Sequence, residues 1–235
     1  MKVNIKKSVF ILILLVAVMK MLAQDEVPDV IKKIYNSYNQ PVTIYFTGKI
    51  QMYDKAFPEK IIDRAECRYT MTNNSFNGSI GPVSILLNDR YYVSADNGSK
   101  ILVIGRRKDL PKMSGTPVSY LEQLSNGIAG GEYTAIASHS TNAGLLELKQ
   151  VRRKDGATAF AITYNILTGY MEKVMVENTN YDNGSGKTMV LEITYSKPIK
   201  LIAGSGFSEK VFFSIVHNKL EVNNAYKDYQ LINQL

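Results

Sequence analysis

The chain has 235 residues, 45% hydrophobic and 21% charged, which is the composition of a packed globular protein and excludes a disordered one. One cysteine rules out an internal disulfide, and one cysteine with two histidines argues against a Cys/His zinc site. The formal charge of +7 is inflated by the leader: 28 Lys and Arg less Lys2, Lys6, Lys7 and Lys20, against 21 Asp and Glu, leave +3, no argument for nucleic acid.

Residues 1–24 read as a signal peptide. Met1–Lys7 carries three lysines, and the apolar run Ser8–Val18 is interrupted by Lys20 before it can span a hydrocarbon core of roughly 30 Å. Cleavage is expected after Ala23 or Gln24, leaving about 211 residues as one domain, 25–235. Bulky Met21 at the −3 position keeps an uncleaved anchor as the alternative. No cysteine follows the apolar run, so a lipid anchor is not expected. No long apolar stretch recurs, so no transmembrane segment is expected after cleavage.

Val27, Val30, Ile31, Ile34, Tyr35 and Tyr38 have the spacing of one helical face, with Pro28 in the first turn and Pro41 as the stop. Alternation of apolar and polar residues then predicts strands over Val42–Tyr53 and Ile61–Thr72, each with one buried face. Shorter strands are expected at Val83–Leu87, Arg90–Ala95 and Lys100–Arg106, the last two joined by Asp96-Asn97-Gly98, where Asn and Gly tolerate positive φ. Thr116–Ile128 reads as a second helix with apolar face Val118, Leu121, Leu124 and Ile128, ended by Gly130-Gly131. A meander follows over Leu145–Arg152, Thr158–Ile166, Tyr170–Tyr181 and Thr188–Ser196, with turns at Asp155-Gly156, Thr168-Gly169 and Asp182-Asn183-Gly184. Val211–Val216 and Lys227–Ile232 add two possible edge strands. The fold class is mainly β (α+β): a single curved antiparallel sheet, or half-barrel, with two helices covering its concave face only in part.

An exported chain with this order of elements resembles the lipoprotein-carrier (LolA-like) half-barrel family. The resemblance lies in Asn88–Ile104, reading NDRYYVSADNGSKILVI, and Ile166–Pro198, reading ILTGYMEKVMVENTNYDNGSGKTMVLEITYSKP. It implies a strand–turn–strand that closes the first half of the sheet and a hairpin in the second. The family's frequent tryptophan is absent, with Tyr91 and Tyr92 in its neighbourhood, and its lid-latching arginine has no counterpart. The resemblance implies the fold more than the transfer of lipoproteins.

Little in the sequence points to catalysis. Gly186-Lys187-Thr188 imitates a phosphate-binding loop, but the glycine required five positions earlier is Tyr181, and a hairpin rather than a helix should leave the turn. Cys67, between Ala65 and Tyr69 on an apolar strand face, reads as a small hydrophobe. Neither His139 nor His217 has a metal ligand at helical or strand spacing, and no GxSxG elbow occurs. No enzyme activity and no cofactor are therefore expected.

The expected function is a periplasmic carrier or binder of an apolar ligand, an acyl chain, lipid or lipoprotein. Its lining is assigned to Phe46, Ile50, Met52, Tyr69, Met71, Phe160, Ile162, Tyr164, Met189, Leu191 and Ile193, where thioethers and rings suit variable chains. Arg106, Arg107 and Lys108, with Arg152, Arg153 and Lys154, end two strands and form a basic rim for a headgroup or an acidic protein face. The alternative is a structural adaptor or sensor of the cell envelope, with a filled core and a protein partner.

Overall fold

The structure, a computed structural model, describes residues 26–72, 75–109, 117–151, 157–178, 187–201, 206–217 and 219–235. The leader and its cleavage site lie outside these, as do the Asp155-Gly156 and Asp182-Asn183-Gly184 turns.

Helix α1, Val27–Tyr38, coincides with the span expected from its periodicity, and Val27, Ile31, Ile34 and Tyr38 are its buried stripe. Strands β1 (Thr43–Asp54) and β2 (Ile61–Met71) pair antiparallel, with Ile44, Phe46, Cys67, Tyr69 and Met71 buried while Lys49, Glu66 and Arg68 are exposed. Then come β3 (Phe76–Ile80), β4 (Val83–Leu87), β5 (Tyr91–Asp96) and β6 (Ile101–Arg106), each antiparallel to the one before. After α2 (Pro117–Ala129), a second meander runs through β7 (Tyr133–His139), β8 (Ala143–Gln150), β9 (Ala157–Asn165), β10 (Met171–Asn178) and β11 (Met189–Tyr195). The meanders join where β11 pairs with β1, and short β12 (Ile199–Leu201) pairs beside it on β1. The result is one large curved, unclosed sheet, the half-barrel expected from the sequence.

Two expectations need correction at the carboxyl end. Val211–Val216 is not an edge of the main sheet: β13 (Phe213–Val216) and β14 (Lys219–Val222) form a separate hairpin. The Lys227–Ile232 strand lies slightly later, as β15 (Gln230–Gln234), and pairs parallel to β6, the one parallel pair among the described strands of the sheet. Alternation does not reveal β3 or β7. The FNGSI of β3 is poor in strand formers, and its pairing with β2 and β4 overrides that local preference.

The β5–β6 turn is also built differently from the expectation. Positive φ falls on Lys100 (φ 56), not on Asn97 or Gly98. The Asp96 carboxylate holds the turn instead, accepting from the Gly98 N–H at 2.8 Å and the Ser99 hydroxyl at 2.6 Å. These hydrogen bonds, the Ser99 hydroxyl foremost, lower the pKa of Asp96. Gly131 (φ 71) ends α2 as expected.

Both faces of the sheet carry a core. On the concave face, α1 and α2 cover Ile44, Phe46, Tyr69, Met71, Ala135, Ala137, Leu146, Leu148 and Ile162. On the convex face, Leu86, Val93, Ala95, Leu102 and Ile104 of β4–β6 are buried under Phe212 and Phe213, with Phe207, Leu220, Val222, Tyr226 and Tyr229 packed around them. A buried polar group fastens this cover. Asn88 accepts from the N–H groups of Arg90 (2.9 Å) and Tyr91 (2.8 Å), and donates to the Phe207 carbonyl (3.1 Å) and the Glu209 carboxylate (2.8 Å). Glu209 is in turn ion-paired with Arg90.

Candidate functional site

Strand register places all eleven apolar positions assigned from the sequence on the concave face, in rows that follow the hydrogen-bonding direction. One row runs Leu148, Phe160, Val176, Leu191, Met52. The next runs Leu146, Ile162, Val174, Ile193, Ile50, Ala65. Each begins on β8, where Leu146 and Leu148 are fully buried. Cover then thins: Phe160, Val174, Val176, Ile193, Ile50 and Met52 are half-buried, and Leu191 is 37% exposed. Phe160, Val174, Ile193 and Ile50 still pack against the core, and the least covered apolar surface lies at Val176, Leu191 and Met52, where the first row runs on to Asp63.

The remainder of the concave face is filled. Phe46 sits between Tyr38, Tyr69 and Tyr195, at centroid distances of 5.7, 5.2 and 5.7 Å, and Phe76 extends the array 5.5 Å from Tyr69. The Tyr38 hydroxyl accepts the Met171 N–H at 3.0 Å, and burial pushes its pKa up. α1 is seated close to the β9–β10 turn by Gly169 (φ 77), where a Cβ would stand 2.9 Å from the Lys33 carbonyl oxygen. The Ser37 hydroxyl also contacts the Gly169 carbonyl at 3.1 Å.

Phe46, Tyr69, Met71, Ile162, Tyr164 and Met189 are therefore buried in the packed part, and Ile50, Met52, Phe160, Leu191 and Ile193 lie in or beside the open part. Val174 and Val176 complete that surface and are absent from the lining assigned by sequence. Their signal is present in Lys173-Val174-Met175-Val176-Glu177, whose valines alternate with polar or outward residues, but with three apolar residues in a row the pattern alone does not assign the strand's faces.

The basic residues are elsewhere. The row Ile44, Met71, Phe76, Leu87, Tyr92, Gly105 marks the opposite end of the sheet from Met52 and Leu191, and Arg106, Arg107 and Lys108 follow it. Arg106 and Lys108 are exposed, while burial lowers the pKa of half-buried Arg107. Arg152, Arg153 and Lys154 lie outside the described residues.

Cys67 is buried below Gly48, and burial pushes its thiol up, away from nucleophilic chemistry. His139 and His217 are exposed, and among the described residues no group of His, Cys, Asp or Glu is arranged to hold a metal. No helix among them is long and apolar enough to cross a membrane. Thr188 leads into strand β11, not a helix, so the phosphate-loop imitation lacks the helix such a site requires.

No protein-family model and no curated protein matches the sequence. Solved structures do match by shape. An uncharacterized conserved protein from Thermus thermophilus superposes with a TM-score of 0.46 at 8% identity, over 88% of this chain and 98% of that one. A LolA superfamily protein from Nitrosomonas europaea gives 0.36 at 14% identity, over 79% and 98%. A chain of the MucA/MucB complex of Pseudomonas aeruginosa gives 0.42 at 10% identity, over 75% of this chain and 58% of that one. A putative outer membrane lipoprotein-sorting protein domain from Vibrio parahaemolyticus gives 0.36 at 8% identity, over 78% of this chain and 96% of that one.

Proposed function

We propose that this protein is an exported, non-enzymatic binder of an apolar ligand, an acyl chain or lipid, and that it works in the periplasm once residues 1–24 are removed, with residues 25–235 as a single half-barrel domain. The observation that carries the reading is the loss of cover along two apolar rows, from fully buried Leu146 and Leu148 to Leu191 at 37% exposure. Apolar ligand surface laid on Ile50, Met52, Val174, Val176, Leu191 and Ile193 gains about 25 cal/mol per Å² removed from water. A sixteen-carbon chain retains useful affinity after ordering and imperfect fit take their share.

The second reading, an envelope adaptor, is favoured by one observation: rings of Tyr38, Phe46, Tyr69, Phe76 and Tyr195 fill much of the concave face. Native mass spectrometry of protein purified without detergent, followed by titration with a fluorescent acyl probe, separates the two. The carrier reading expects co-purified lipid or saturable, displaceable uptake. It also expects Leu191→Asp to weaken uptake about tenfold or more with a nearly unchanged melt, because a carboxylate there meets water in the free protein but is desolvated by the ligand. Folded, ligand-free protein with no saturable uptake at low or high salt overturns the carrier and leaves the adaptor, whose partner crosslinking would then identify.

A further inference from the structure

We infer that β15 is a self-complementary edge through which two copies of this chain pair, joining their sheets across a twofold axis at Ile232. β15 is the outermost strand, no described strand lies beyond it, and all five of its residues are exposed, whereas the opposite edge, β7, has α2 packed beside it. Its sequence, Gln230-Leu231-Ile232-Asn233-Gln234, contains none of the lysines, prolines, glycines or inward charges that blunt an edge.

The phase of the ladder determines what this edge offers. The Gln230 N–H donates to the Lys100 carbonyl at 2.7 Å, and the parallel register sets Gln230 beside Ile101, Leu231 beside Leu102 and so on to Gln234 beside Gly105. In a parallel ladder a residue directs both backbone groups to the same side, so Gln230, Ile232 and Gln234 face β6 while Leu231 and Asn233 face outward. Two outward residues separated by one inward residue match their own copy. Turned about an axis through Ile232, a second β15 sets Leu231 opposite the partner's Asn233, and the reverse, closing four N–H···O=C bonds. Ile232 then meets the partner's Ile232 as a close, non-hydrogen-bonded pair, with Gln230 beside the partner's Gln234 on the same face. No charge opposes itself. The arrangement closes as a dimer instead of growing, and a contact this short is smaller than a standard interface, so dimerisation should depend on concentration.

The inference does not depend on what the concave face binds, and its test uses no ligand. Sedimentation of the purified protein should show reversible dimers. Asn233→Pro removes an outward N–H that the monomer's own ladder does not use, so it should raise the dimer Kd about tenfold or more while the melt stays close to wild type. Ile232→Cys should form an intermolecular disulfide under mild oxidation, because opposed Cα atoms in such a pair stand about 4.5 Å apart. Leu231→Cys and Asn233→Cys, each facing a different residue, should crosslink about tenfold more slowly; native Cys67 is buried and gives no background. A protein that stays monomeric up to about 1 mM, a dimer indifferent to Asn233→Pro, or equal crosslinking at the three positions would overturn the inference.

Discussion

Close packing around single residues decides much of the concave face. A Cβ on Gly144 would stand 2.1 Å from the Tyr164 ring, so only glycine lets that ring lie flat on β8. Beneath Gly48 the same economy of space encloses Cys67, where a Cβ on the glycine would meet the sulfur at 2.7 Å. Burial is the main cause of the raised Cys67 pKa, with hydrogen bonds involving Tyr69 and Gly48 opposing it. The sign follows from linkage: the neutral thiol is the form the fold favours, so its contribution is complete below the unfolded thiol's pKa and is lost as pH rises through the folded one. Thermal melts above the ordinary thiol range should therefore show wild-type protein losing stability that Cys67→Ala does not lose. Identical pH dependence of the two would show that Cys67 is not held as this packing requires. The alternation of β1 and β2 makes the burial of Cys67 legible in the sequence. The glycine contacts are not, because they depend on which ring crosses which strand.

Among the elements, β4–β6 differ from the rest in being apolar on both faces. Val83–Leu87, Tyr91–Ala95 and Ile101–Ile104 are nearly continuous apolar runs, the pattern of strands covered twice. That pattern is visible, yet nothing local identifies the cover as Phe207–Leu235, more than a hundred residues away from β6. The meander strands other than β3 and β7 are legible because alternation and turn residues are local signals; β15 is displaced and its parallel pairing unforeseen because its partner is chosen by tertiary packing. Phe213, fully buried and 5.2 Å from the Tyr91 ring, anchors the cover. Phe213→Ala should cost about 3–5 kcal/mol in urea unfolding. Exposed Ile215→Ala, on the same hairpin, should stay within about 0.5 kcal/mol. Similar losses at both positions would mean that the hairpin does not lie on β4–β6 in this way.

At the scale of the whole molecule, the Arg106–Lys108 cluster and the open apolar surface are kept apart, while the carboxylates of Asp54 and Asp63 border that surface beside Met52. Eight residue steps along β1 separate Met52 from Ile44, about 26 Å of strand, and Arg106 follows the row that contains Ile44. Since exposed charges farther apart than roughly 8 Å are largely screened at physiological salt, replacing Arg106 and Lys108 together by Gln should leave acyl-probe affinity within about twofold. A larger fall, abolished by added salt, would bring that cluster back to the ligand. The doubly covered β4–β6 has a further consequence in time. A ribosome delivers these strands well before residues 207–235, and until those residues emerge the convex side of the nascent sheet presents Leu86, Val93, Leu102 and Ile104 bare to its surroundings. Synthesis therefore passes through an interval in which the first meander is complete in sequence but sticky on its outer surface, and a holding chaperone has its clearest target there.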